Sequence, residues 1–290
     1  MLKTLPRLVL SLCFAIASLA RPVWAADPAP GDTHHFKVTL DSKLDMTVQG
    51  QKQHLDAVSS LRYNWTRSTS ERVLVYESVE VKTNIDGKPL MDSTMSRAKM
   101  VNVQGGKTDE VSYDAAPDAL KKMLRDSFDV PVYKLQVDQN TKELKRTVVA
   151  GEGAKDLIAN GLVANALLFH PPFYRDQEKW TADSEVTMGN GGFARGRLQY
   201  QKVSSGPAGI VFKVSGTLAN ESFQMPPVTI KNATYVVNGE ETYDPRQREW
   251  VAGKMTMDIT YKLWANNQDV GGTSGTMVLT FQEMDGKPAK

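Results

Sequence analysis

Four histidines, His34, His35, His54 and His170, are the side chains of this sequence best suited to hold a metal or move a proton near neutral pH. His34 and His35 follow Asp32 closely, and two imidazoles with a carboxylate are chemically able to ligate zinc. Neighbouring residues on an extended strand point to opposite faces, so these two are expected as a surface pair and not as a chelate. His170 precedes Pro171-Pro172 at the end of an apolar, helix-like stretch, where a cation favours the helix dipole. Capping is its expected role, and no H-E-x-x-H motif occurs. Ser96-Arg97-Ala98-Lys99 has the S-x-x-K spacing with which penicillin-binding enzymes set a nucleophilic serine one helical turn before a lysine. Here the run is strand-like and the companion K-T-G is missing, since Gly106-Lys107-Thr108-Asp109 does not supply it. The spacing is read as coincidence.

Gly189, Gly191 and Ala194 in GNGGFARG match a nucleotide-fingerprint spacing, but a strand pattern follows them. With no helix N-terminus to receive a phosphate, the stretch reads as a hairpin turn. GEGAKD, from Gly151, opens a helical pattern but lacks the P-loop spacing and its Ser or Thr, and no G-x-S-x-G is present. Sequons at Asn64, Asn220 and Asn232 are no more than chance supplies. The methionines say more: Met46, Met91, Met95, Met100, Met255, Met257 and Met277 all fall on strand-like runs. Unbranched, polarizable side chains suit a cavity for flexible apolar ligands, with ordinary core filling as the plainer explanation.

The elements that must position these residues begin behind an export signal. MLKTLPRLVLSLCFAIASLARPVWA has a basic start, an apolar stretch from Leu8 to Ala20 and small residues at its end, the layout of a secretory signal peptide cleaved after Ala25. The single cysteine, Cys13, lies inside it, so the mature chain has no disulfide, thiol nucleophile or thiolate metal site. Removing Lys3, Arg7 and Arg21 takes the formal charge from +2 to −1, which argues against a nucleic-acid partner. Residues 26–34 read as a flexible lead-in, and 35–285 as a single β-rich domain.

In HFKVTLDSKLDMTVQ, residues 35–49, every even position from Phe36 to Val48 is apolar except Ser42, and every odd one is polar. Such a strand has one dry and one wet face and would span on the order of 45 Å at roughly 3.3 Å per residue. After a turn at Gly50-Gln51, Leu55, Ala57, Ser59, Leu61, Tyr63 and Trp65 alternate. A third run holds Val73, Val75, Val79 and Val81 and ends at Asp86-Gly87, a strong hairpin signal. A fourth, near 90–103, completes a meander. APDALKKMLRDSF, with Pro117 early and Leu120, Met123, Leu124 and Phe128 on one stripe, predicts an amphipathic helix over 117–128. A hairpin turning near Asn140 follows, and then the apolar segment 154–169, with Leu157, Ile158, Leu162, Val163, Leu167, Leu168 and Phe169, predicts a second helix that something must cover. Strands resume at Trp180: Ile210, Phe212, Val214 and Leu218 share a face, as do Val228, Ile230 and Val236. Val251, Met255, Met257, Ile259, Tyr261 and Leu263 form another long face before a last strand with Met277, Leu279 and Phe281.

The expected fold is mainly β with two helices (α+β), a long-stranded antiparallel curved sheet or half-barrel packed by helices near 117–128 and 154–169. In its signal peptide, its long runs at 35–49 and 248–264 and its plug-like LIANGLVANALLF, the chain resembles in architecture the LolA and LolB type half-barrel lipoprotein carriers of the bacterial envelope. VDQNTKELKRTVV, the apolar helix and EKWTADSEV together resemble a family of exported bacterial β-rich proteins, a resemblance that implies no particular activity. The function expected is therefore non-enzymatic: binding of a lipid, a lipidated protein or another apolar ligand under a helical lid, in the periplasm or outside the cell. Ile158, on the apolar helix, stands for the ligand-contacting positions; no catalytic residue, metal or cofactor is expected. Possible partners are a lipid, a lipoprotein or an envelope protein, and not nucleic acid. A structural or protein-interaction module without a small ligand is the alternative, and a membrane β-barrel is disfavoured by the helices and the polar tail DGKPAK.

Overall fold

The computed structural model describes residues 33–67, 71–137, 144–149, 151, 177–187, 193–246 and 249–284. Alternation is realised at once: β1 (Thr33–Val48) buries Phe36, Val38, Leu40, Ser42, Leu44 and Met46 and leaves the intervening residues at least partly exposed. A tight turn with positive φ at Gln49 (52°) and Gly50 (79°) leads to β2 (Gln51–Arg67), and one at Asp86 (50°) and Gly87 (73°) joins β3 (Glu71–Ile85) to β4 (Lys88–Ser96). Both turns have the paired left-handed residues that match strand twist in two-residue hairpins. The fourth expected strand is divided in two, β4 and β5 (Lys99–Gln104), by a hairpin at Arg97-Ala98. After β6 (Lys107–Ser112) comes α1 (Asp118–Ser127), with Asp118 in the first turn and Arg125 in the last, where each complements the dipole. Leu124 and the flanking Phe128 are fully buried, and Asp129 N–H donates to the Tyr76 carbonyl at 2.8 Å, tying the helix end to β3.

β7 (Pro131–Val137) and β8 (Leu144–Val148) form the expected hairpin, whose tip at 138–143 lies outside the described residues. β9 (Lys179–Thr187), β10 (Phe193–Gly206), β11 (Gly209–Met225), β12 (Val228–Asp244), β13 (Glu249–Ala265) and β14 (Gln268–Met284) then run as an antiparallel meander. The sheet has the order β6-β5-β4-β3-β2-β1-β14-β13-β12-β11-β10-β9, with β7 and β8 branching from β3. One large antiparallel sheet thus comprises two meanders joined where β1 pairs with β14, from His35 opposite Met284 to Val48 opposite Gly271. One helix, not two, is present among the described residues; the expected helix at 154–169 lies outside them.

The sheet curls toward its apolar face. Arg72 on β3 lies 3.5 Å from Glu249 on β13, although four strand spacings of about 4.8 Å separate those strands in sheet order. A flat sheet would hold the two charges beyond the reach of their side chains. The concave side is therefore dry and the convex side carries Lys37, Asp41, Lys43 and Asp45, the reverse of a membrane barrel, whose outward band is apolar. Among the described residues no helix is long and apolar enough to cross a membrane.

Three expected faces are corrected by β-bulges, each of which adds a residue and so exchanges the two faces beyond it. Between Arg62/Tyr63 of β2 and Tyr76/Ser78 of β3 the register slips at Glu77, so Arg72, Leu74 and Tyr76 turn inward and Val73 and Val75 do not. At Asn232, whose φ is 54°, β12 slips against β13, which puts Ala233, Tyr235 and Val237 inside and leaves Val236 exposed. At Val251, opposite the step from Thr242 to Tyr243, the inward place passes to Trp250. Asn tolerates the left-handed region, and a β-branched residue does not. Asn232→Gly should change stability by no more than a few tenths of a kcal/mol, whereas Asn232→Val should cost about 1–2 kcal/mol in urea unfolding. Equal stability of the two variants would place the re-phasing elsewhere.

Candidate functional site

Among the described residues, the buried side chains of the inner face form one continuous cluster from β9 to β3. Its two ends differ. Toward the start of β1 it is aromatic: Trp180 stacks on Tyr200 with ring centroids 4.0 Å apart, Phe212 meets Trp250 edge-on at 5.7 Å and Tyr243 meets Trp250 at 5.4 Å. Across the seam the belt continues through Phe281, stacked on Phe36 at 4.9 Å, and Tyr63, stacked on Phe36 at 5.4 Å. Away from this belt the lining becomes aliphatic and methionine-rich, with Met257 directly opposite Met277 and Met255 opposite Leu279. Met46, Met255, Met257 and Met277 are buried as a face for apolar contact requires, while Met91 and Met95 pack at its margin.

Two ionic groups sit inside the aromatic belt. Glu249 accepts a hydrogen bond from Trp65 Nε1 at 3.4 Å and from its neighbour's backbone, Trp250 N–H, at 3.1 Å, and Arg72 closes a buried ion pair with it. The Arg72 guanidinium also lies over the Trp65 ring, 4.9 Å from its centroid, so the cation is held by charge and by the ring face together. Burial first, and then the Glu249 charge, push the Tyr63 hydroxyl well above its usual pKa, with Arg72 opposing. Glu241 on β12 is the other group. It is 1% exposed, neither carboxyl oxygen has a hydrogen-bond partner, and desolvation raises its pKa well above the ordinary carboxylate range. Tyr200 is raised by burial and, secondarily, by Glu241.

The residues that the sequence offered for chemistry are dispersed. His34 Nδ1 meets Glu283 at 2.5 Å and His35 Nδ1 meets Glu77 at 2.7 Å, two carboxylates on two different strands, so the histidines diverge as strand geometry requires. Ser96 ends β4 and Lys99 begins β5, with the Lys99 ammonium donating to Glu110 at 2.9 Å. No nucleophile and base are brought together there. Phe193 pairs with Thr187 across the β9–β10 hairpin, while Gly189 and Gly191 lie outside the described residues, as do His170 and Ile158. Of the sequon asparagines, Asn64 donates to Glu77 and Asn220 to the Phe193 carbonyl.

On the convex side, an open cavity of about 750 Å³ is lined by Asp45, Lys52, His54, Asp86, Thr260 and Ser274, among others. His54 Nδ1 is 2.7 Å from Asp45, its Nε2 is 3.4 Å from Asp56, and its backbone N–H donates to Asp86. The hydrogen bond to Asp45 raises its pKa, helped by both aspartates. This is a solvated cross-strand network, and among the described residues no group of three or more His, Cys, Asp or Glu side chains is placed to hold a metal. Sequence reasoning missed Arg72, Glu241 and Glu249, all of which owe their burial to strand phase, curl or both. Extending the alternation back from Tyr243 would have put Glu241 on the inner face.

No protein-family model matches the chain, and no curated protein matches it. Among solved structures it is similar to lipovitellin, in a structure concerned with lipid–protein interactions, with 12% identity, a TM-score of 0.49, and coverage of 90% of this chain and 26% of that one. The chain thus spans about a quarter of the length of lipovitellin. Weaker likenesses are to Pseudomonas aeruginosa OccK5 (6% identity, TM-score 0.25, 88% and 99% coverage) and to a mutant of Rh. blastica porin (8%, 0.22, 86% and 100%). The common ground is a β-rich architecture.

Removing one member of a buried ion pair leaves the other uncompensated. Arg72→Met should therefore destabilise the fold by about 3–5 kcal/mol near neutral pH. The loss should shrink as the pH falls toward 4–5, roughly the ordinary carboxylate range, because protonation in both states removes the cost of burying the stranded charge. Urea unfolding at both pH values measures this; a loss that does not change with pH would mean that Arg72 acts by packing alone.

Proposed function

We propose that this is an exported, non-enzymatic protein of the cell envelope that holds a lipid, a lipidated protein or another apolar ligand against the inner face of its sheet. The observation that carries this reading is the largely apolar face shared by both meanders, curled and lined in part by methionines that adapt to flexible chains. Faces of this kind bind by area and shape rather than by a few polar contacts, which suits molecules with long hydrocarbon parts. The signal-peptide layout supports export, with a mature start at Ala26. Native mass spectrometry of the exported protein, purified without detergent, should show an N-terminus at Ala26 and an adduct of lipid mass that organic extraction removes. An unliganded mass, with no uptake of a fluorescent fatty acid, would instead support an interaction module whose apolar face is permanent core.

A further inference from the structure

The inner face is furrowed. Gly196 on β10, Gly216 on β11, Gly239 on β12 and Gly253 on β13 all replace inward-pointing side chains, and the registers place them on one diagonal. Leu198 pairs with Gly216, Gly216 with Val237, Val214 with Gly239, Gly239 with Met255, and Glu241 with Gly253, so each step to the next strand moves the gap two residues along. A Cβ at Gly196, Gly216 or Gly239 would overlap the carbonyl oxygen of Thr217, Arg197 or Lys254 respectively, so backbone coiling keeps this line free of side chains. On a face made of Leu, Val, Met and aromatic rings, this row presents backbone alone.

Glu241 stands at the end of that row. It lies directly across from Gly253 on one side and from Phe212 on the other, with Gly239 two residues before it on the same face. Its two oxygens have no hydrogen-bond partner although the residue is almost wholly buried. An unpaired buried carboxyl is costly, and the fold retains one where one neighbouring strand offers Gly253 and the other the ring of Phe212, neither of which can hydrogen-bond to it. We propose that the glycine furrow seats the hydrocarbon chain of a ligand and that Glu241 accepts hydrogen bonds from its head group, which is a primary ammonium or a hydroxyl and not a carboxylate or phosphate. This rests on the apolar-ligand reading above and adds the polarity of the head group to it. The aromatic rings of Phe212, Tyr200 and Trp250 around the carboxyl exclude water, so a donor arriving there meets an acceptor already stripped of solvent. An ammonium supplies the countercharge that lets the buried carboxyl ionise, whereas an anionic head would add a second negative charge to a desolvated site.

Dodecylamine, dodecanol and dodecanoate, which share a chain and differ only in head group, test this on the full-length mature protein by titration calorimetry and tryptophan fluorescence. The amine should bind at least about tenfold more tightly than the carboxylate, the size of one net charge-assisted hydrogen bond, with the alcohol between them. In Glu241→Leu the three affinities should converge to within about twofold, through loss of amine and alcohol binding with dodecanoate retained. Glu241→Gln, of the same shape, should lose the amine preference and keep the alcohol. Unchanged preferences in both variants, or tighter binding of dodecanoate to the native protein, would overturn the head-group assignment and leave the apolar-ligand reading standing. Failure of all three to bind the native protein would overturn both.

Discussion

Pairing of the first described strand with the last holds this architecture together. β1 and β14 contribute the central rungs of the sheet although more than two hundred residues separate them in sequence. Each meander alone is a succession of local hairpins, inexpensive in loop entropy but with half an apolar face and an open edge beside it. The seam joins the two half-faces: Leu40 lies opposite Leu279, Val38 opposite Phe281, and the Phe36–Phe281 stack fixes one end. At the other end β14 coils so tightly against β1 that Gly271, with φ at 143°, leaves no space for a Cβ beside the Thr47 carbonyl. The Arg72–Glu249 pair spans this seam, so the buried charges exist as a pair only once the distant strands have met.

Much of this was legible wherever the side-chain period was uninterrupted. β1, most of β2 and the run from Met255 to Leu263 show an inner face that the residue types alone announce, and Gly50 and Asp86-Gly87 mark their turns by the conformations those residues tolerate. What alternation does not carry is phase across a bulge. A single extra residue at Glu77, Asn232 or Val251 exchanges the faces, and nothing in a valine indicates which face it has been given. Val73, Val75 and Val236 were therefore placed on the wrong side by the hydrophobicity that makes them good strand residues. Asn232 was the one available clue, as a residue able to turn left-handed in the middle of a β-branched run.

The same loss of phase hid the ionic groups of the inner face. Arg72 and Glu241 sit among polar or small neighbours, ER in one case and GEE in the other, and a charged residue in such a setting is normally solvated. Their burial comes from bulges and from the curl that brings β3 toward β13, both tertiary properties. Of the residues that did look reactive, His34, His35 and Lys99 each meet a carboxylate on another strand, because the chemistry they imitate needs helical or convergent placement that long antiparallel strands do not provide.

The two ends of the inner face are built for different physical tasks. At the aromatic end, stacked rings and an Arg–Glu–Trp network restrict each side chain to one arrangement, because moving any of them would strand a charge or an indole N–H away from water. At the methionine end Met46, Met255, Met257 and Met277 lie among aliphatic neighbours, and their unbranched side chains can change rotamer at little cost while still excluding water. A rigid end can fix the direction and polarity of whatever lies along the sheet, and a compliant end can accept variation in its length. Glu241 lies at the rigid end, where its carboxyl cannot swing out to find solvent. An adaptable hydrocarbon surface coupled to a fixed polar point is the combination by which one site orients a chain without having to match every atom of it.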